Sequence, residues 1–164
     1  AMYLPKVDLC TIEANAEITG VTGVEIRGGK LDIKGGKITA NGTFEAEANG
    51  NGSTVNGVAI AVAPHSTDLD INVTVGGGEF AGAYAIYEFN SQPVRNGKTD
   101  IVINGGTFSQ VCATYNKKVT GNVDITINGG TIGKINIATS SSISFLKYFP
   151  FPASKLIAMG FLGS

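Results

Sequence analysis

Five stretches of this chain are versions of one phrase. They are Val24-Glu25-Ile26-Arg27-Gly28-Gly29-Lys30-Leu31, Leu31-Asp32-Ile33-Lys34-Gly35-Gly36-Lys37-Ile38, Val73-Thr74-Val75-Gly76-Gly77-Gly78-Glu79-Phe80, Ile101-Val102-Ile103-Asn104-Gly105-Gly106-Thr107-Phe108 and Asp124-Ile125-Thr126-Ile127-Asn128-Gly129-Gly130-Thr131-Ile132. All but the copy at Ile101-Val102-Ile103 begin as an apolar/polar alternation, the signature of a strand with one buried face. A Gly-Gly pair then bends the chain, because glycine accepts backbone angles closed to other residues. A second strand follows. Chains that repeat such a unit stack the copies and bury a continuous column.

A second kind of strand joins the phrases: Val58-Ala59-Ile60-Ala61-Val62, Tyr84-Ala85-Ile86-Tyr87-Glu88, Val111-Cys112-Ala113-Thr114-Tyr115 and Ile135-Asn136-Ile137-Ala138-Thr139. These start 26, 27 and 24 residues apart. The unit holds three short strands and no helical pattern, and it lacks the Leu and Asn positions of a leucine-rich repeat. The expected fold is all-β: a right-handed parallel β-helix, or β-solenoid, of about five rungs. Alternation puts Leu31 and Ile33, Val73 and Val75, Ile101 and Ile103, and Ile125 and Ile127 inside. On the other strands Val58, Ile60, Val62, Tyr84, Ile86, Val111, Ala113, Ile135 and Ile137 are expected inside. Stacking at about 4.8 Å makes each inner position an apolar ladder, stabilised by roughly 25 cal/mol per Å² buried. Asn104 and Asn128 fall one above the other and should share amide hydrogen bonds.

The 164 residues read as one domain, 1–164. Residues 3–20 form an N-terminal capping rung. Residues 21–139 hold the repeats. Residues 40–57 are an insertion rich in Asn-Gly turns, with Phe44 placed to tuck it onto the body. Residues 140–164 lose the phrase and turn apolar. They are a cap over the last rung, an interface segment, or a by-product of where the chain was cut. Ala1-Met2 reads as a cloning remnant ahead of an excised fragment, so a targeting segment could have been removed.

Composition narrows the function. Twelve Lys and Arg against thirteen Asp and Glu give a net charge of -1, which opposes general nucleic-acid binding. No apolar run reaches the roughly 18 residues that span a bilayer. Cys10 and Cys112 are too few and too distant for a disulfide framework or a zinc site. No cofactor or metal is expected.

The Ile-x-Ile-x-Gly-Gly-x-Ile/Phe phrase, with three short strands per turn, resembles the right-handed parallel β-helix (pectin-lyase-like) domains of bacterial surface and secreted proteins. The likeness covers about residues 21–139 and implies an extracellular or cell-surface setting. Pectate lyases of this fold use clustered Asp residues for calcium and an Arg or Lys as base. Polygalacturonases need several Asp, a His-Gly and an Arg-x-Lys. Here the acids are scattered, and the one histidine, His65, has no glycine after it. Asp100 and Asp124 stack in register and read as a strand-entry device rather than a cation site.

The loops after the first strand of each rung leave from one edge. They carry His65, Ser66 and Asp68, then Asn90, Gln92, Arg95, Asn96 and Lys98, then Asn116, Lys117 and Lys118. Tyr87 and Phe89 should point outward beside them. Aromatic faces next to cations and amides suit a sugar ring, so the candidate ligand-binding set is Tyr87, Phe89, Arg95, Lys98, Lys117 and Asp68. The other reading of these positions is ordinary polar surface loops. The outward residues of the first strands (Ala59, Ala61, Ala85, Cys112, Thr114, Asn136, Ala138) are mostly small. That flat face is either a self-association or partner face or is covered by the 40–57 insertion.

The expected function is a non-catalytic module for adhesion or carbohydrate contact, with a polysaccharide or host glycan as partner. One alternative is a polysaccharide lyase or hydrolase fragment acting on a uronate polymer, with Arg95, Lys98 or Lys117 as base and Asp68 nearby. Another is a structural spacer that self-associates through the C-terminal tail or the small-residue face.

Overall fold

A computed structural model describes residues 1–49, 52–64, 68–89, 96–113, 123–137, 141–145 and 159–161. The described elements are all β-strands, and every described pair is parallel except one hairpin. The chain opens with β1 (Met2–Leu4), β2 (Val7–Ile12) and β3 (Glu17–Gly20). Next come β4 (Val24–Ile26), β5 (Gly29–Ile33) and β6 (Lys37–Ala40), which pair with β1, β2 and β3 in turn. The hairpin β7 (Glu45–Asn49) and β8 (Gly52–Asn56) interrupts the series. Then β9 (Val58–Val62), β10 (Ile71–Val75) and β11 (Glu79–Ala81) take the same three places.

The remaining strands are β12 (Tyr84–Glu88), β13 (Thr99–Ile103), β14 (Thr107–Ala113), β15 (Val123–Ile127), β16 (Thr131–Ile137), β17 (Ser141–Phe145) and β18 (Met159–Phe161). Three ladders result. One runs β2-β5-β10-β13-β15-β17. A second runs β3-β6-β11 and into the start of β14. The third runs β1-β4-β9-β12 and into the end of β14. The last two merge because β14 and β16 run unbroken through what is a Gly bend earlier in the chain.

The alternation predicted for the first ladder holds. Leu31, Ile33, Val73, Val75, Ile101, Ile103, Ile125 and Ile127 are all buried. In the second ladder Ile38, Phe80 and Phe108 continue the interior, with Phe80 and Phe108 stacked at 4.7 Å between ring centroids. Each fully buried side chain of this size contributes about 1.5–3 kcal/mol. At the bends, Asn128 donates from Nδ2 to Asn104 Oδ1 at 2.8 Å, the expected stacked amide pair.

The third ladder departs from strict alternation. Ile60, Val62 and Ile86 face the main core, but so do Ala59 and Ala85. Val58 and Tyr84, expected inside, instead pack in a second cluster on the outer side. Pairing matches Tyr84 with Val58 and Ile86 with Ile60, and skips the 59/85 position. Two successive residues therefore turn inward where the strand leaves the corner. Alanine fits there, and a tyrosine would not.

The insertion explains the outer cluster. Val55 of β8 is buried with Ala61, Ala63, Tyr87, Phe89 and Cys112, and Ala46 of β7 packs on them. Phe44 sits on Tyr84 and Tyr87, with ring centroids 4.7 and 5.1 Å apart. Thr22 Oγ1 donates to the Val55 carbonyl at 2.5 Å and fastens the hairpin. Of the small positions expected outward, Ala61 and Cys112 thus lie in the cluster under the chain's own insertion, whereas Ala59 and Ala85 belong to the main core, and Thr114 and Ala138 lie outside the described residues.

Candidate functional site

The loop edge before β10 and β13 is the best-defined polar constellation. Asp68 Oδ1 accepts from the Asn96 backbone N–H at 3.0 Å, and Asp68 Oδ2 accepts from Asn96 Nδ2 at 3.1 Å. Asp70 Oδ1 accepts from the Lys98 N–H at 2.8 Å. Short carboxylate side chains readily take backbone N–H groups in loops, and here they tie one repeat to the next. Lys98 Nζ then reaches Asp100 Oδ1 at 2.8 Å and Asp124 Oδ2 at 3.2 Å.

Asp100 and Asp124 are register partners on β13 and β15. Like charges directly opposite destabilise a sheet, and the Lys98 ammonium offsets that repulsion. Its hydrogen bonds to Asp100 and then Asp124, with their charges, raise its pKa above the usual 10.5. Asn72 continues the same column below Asp100. The outcome is a solvent-facing row of hydrogen-bonding groups running across successive strands.

Of the candidate ligand residues, Asp68 and Lys98 are at this edge. Arg95 and Lys117 lie outside the described residues, as do His65, Ser66, Asn90, Gln92, Asn116 and Lys118. Tyr87 and Phe89 do not present their faces to solvent. They are 1% and 6% exposed, pointing away from the main core as expected but covered by the hairpin. The sequence left open whether residues 40–57 cover the outward face of these strands, and the hairpin lands on it.

Two buried groups near this edge had no role in the sequence reading. Glu88 is 1% exposed and in register with Val62, and period-2 counting from Ile86 was the signal for it. Thr99, at the start of β13, is fully buried. The Cys112 thiol is pushed from 9.0 up to about 12 by burial, with the nearby Glu88 charge adding and Lys134 opposing. A thiol raised in the fold loses protons more easily once unfolded. Its stabilising contribution is complete below about pH 9 and is lost as pH rises toward 12. By pH 10.5 the loss should reach about 2 kcal/mol, at 1.36 kcal/mol per unit. Urea midpoints for wild type and Cys112→Ala at pH 8 and 10.5 check this: the gap between the two proteins should shrink by that amount. Alkylation at pH 8 should reach half-buried Cys10 well before Cys112.

Among the described residues no helix is long and apolar enough to cross a membrane, and no three His, Cys, Asp or Glu side chains are grouped to hold a metal ion. Compared with known proteins, the chain matches no protein-family model, no curated protein and no solved structure.

Proposed function

We propose that this chain is a right-handed parallel β-helix module of the pectin-lyase-like kind, from a bacterial surface or secreted protein, and that it makes non-catalytic contact with a polysaccharide. The fold part is supported by three parallel ladders that receive strands in the same order, repeat after repeat. The contact part rests on one observation: the Asp68–Asn96–Lys98–Asp100–Asp124 row is held together before any ligand arrives. Pre-ordered donors and acceptors lose little entropy on binding. A polymer lying across the strands would meet the polar positions Asn72, Asp100 and Asp124 in succession.

The lyase reading is weaker at Lys98. A general base must be deprotonated near working pH, and the two aspartates hold this amine as ammonium. A glycan array tests the proposal. Wild type should bind a polysaccharide, and Lys98→Ala or Asp68→Ala should weaken it by about tenfold or more, a loss of about 1.4 kcal/mol. Folding of both variants is checked by their melting temperatures. An array without binders would refute carbohydrate contact, and turnover of a uronate polymer would restore the enzyme reading.

A further inference from the structure

All three ladders begin at one end of the molecule, and at that end β1, β2 and β3 each have a partner on one side only among the described residues. The interior is open there too. Met2, Val7, Cys10, Ala16 and Ile18 are only partly buried, though they pack on the same core whose members on β5, β10 and β13 are almost sealed. Tyr3, Leu9 and Val21, at 56%, 59% and 54% exposed, sit at this end as well. Such an edge is a template for another strand.

The backbone says which strand fits. The Lys34 N–H donates to the Ile12 carbonyl, Gly76 to Ile33, Asn104 to Val75 and Asn128 to Ile103. The inner-register residue of each strand therefore turns its backbone groups toward the following strand. In a parallel pair the neighbouring residue turns the other way. At the open edge of β2 that residue is Thr11. At the other end of the ladder, β17 carries Ile143 and Phe145 in the inner register of Ile125 and Ile127. Their backbone groups follow the same rule and face away from β15. Among the described residues β17 is the last strand of this ladder, and its outer edge offers what the start at β2 requires. The inner columns match as well: Cys10-Leu31-Val73-Ile101-Ile125-Ile143 and Ile12-Ile33-Val75-Ile103-Ile127-Phe145 are apolar from end to end by register.

We infer that the N-terminal edge docks a second copy of this chain, head to tail, with β17 of one copy pairing in parallel with β2 of the next. The contact is heterologous, so it propagates into open-ended rows rather than closing as a dimer. It uses backbone edges and stands apart from the polysaccharide contact proposed at Lys98. It also differs from self-association through the small-residue face, of which Ala61 and Cys112 are covered by the hairpin and Ala59 and Ala85 are turned into the main core.

The test is sedimentation velocity on the full chain from micromolar to millimolar concentration, with an edge-blocked variant, Leu9→Lys with Thr11→Pro. Leu9→Lys alone serves if the proline disturbs folding by circular dichroism. Wild type should form a concentration-dependent series of species. The blocked variant should remain monomeric by itself. Fluorescently labelled, it should still co-sediment with wild type, because its other end is intact, and it should shorten the rows. A monomeric wild type at all concentrations overturns the inference. So does a blocked variant that assembles like wild type, or one that stays out of wild-type assemblies, since that last result means the edges pair start to start.

Discussion

Replacing Tyr87 by alanine is expected to destabilise the protein by about 3–5 kcal/mol, the usual range for truncating a large buried aromatic. Tyr87 is 1% exposed and lies at the centre of the outer cluster, with rings of Phe44 and Tyr84 at 5.1 and 4.7 Å. The change removes the surface on which the hairpin rests, so part of the hairpin should become accessible. Total stabilities of domains run about 5–15 kcal/mol, so the variant would lose a large share. Tyr87→Phe keeps the ring and should cost about 1.5 kcal/mol or less. Urea denaturation measures both, and limited proteolysis reads hairpin release as new cleavage within residues 41–57. If Tyr87→Ala is as stable as wild type, the covered outer cluster is wrong and the exposed-platform reading of Tyr87 returns. Loss of glycan binding in this variant would not identify a sugar-stacking residue, since the same change loosens the cover. Lys98→Ala is the cleaner probe, because that side chain is 47% exposed.

Much of the fold was legible because its main signal is local. Period-2 alternation in Leu31-Asp32-Ile33 and Ile125-Thr126-Ile127 states which side chains are buried, and the copies state which strands neighbour one another. The third ladder was less legible, since Val58-Ala59-Ile60-Ala61-Val62 alternates perfectly in sequence. Its first two residues exchange faces at a corner, and all five are buried because the chain covers both sides. Alternation marks a strand with one wet face. It cannot show that the hairpin just before this strand folds back and dries the other. The same gap misplaced Tyr87 and Phe89. At the loop edge, the recurrence of Asp100 and Asp124 was visible, but the reach of Lys98 to both was not. Ion pairing across two strands depends on a side-chain path that spacing does not encode.

Gly78→Ala should be among the most damaging single-methyl additions available, and Gly77→Ala one door away should be nearly harmless. Gly78 has φ +109°, a conformation rarely open to residues with a Cβ. Gly36, Gly106 and Gly130 hold the same place at other bends, with φ of 91°, 108° and 97°. The local strain is worth about 1–3 kcal/mol. Crowding adds to it, for a Cβ on Gly78 would stand 2.6 Å from the Gly36 carbonyl oxygen and 3.0 Å from the Gly35 carbonyl carbon. Both are backbone atoms. That Gly36 oxygen also accepts the Glu79 N–H at 2.8 Å, one of the bonds that joins the repeats, so it cannot withdraw without weakening the ladder. A Cβ on Gly77 would meet its nearest atom, the Lys34 oxygen, at an ordinary 3.7 Å. There the loss of unfolded-state freedom could even stabilise, by about 0.4–1 kcal/mol. Thermal melts of the two variants decide it. A large drop for Gly78→Ala beside little change for Gly77→Ala means that the second strand of each phrase starts from a backbone turn stacked on the turn before. Equal effects would mean that the glycines serve only as flexible linkers, and the repeat would then owe its geometry to the apolar columns alone.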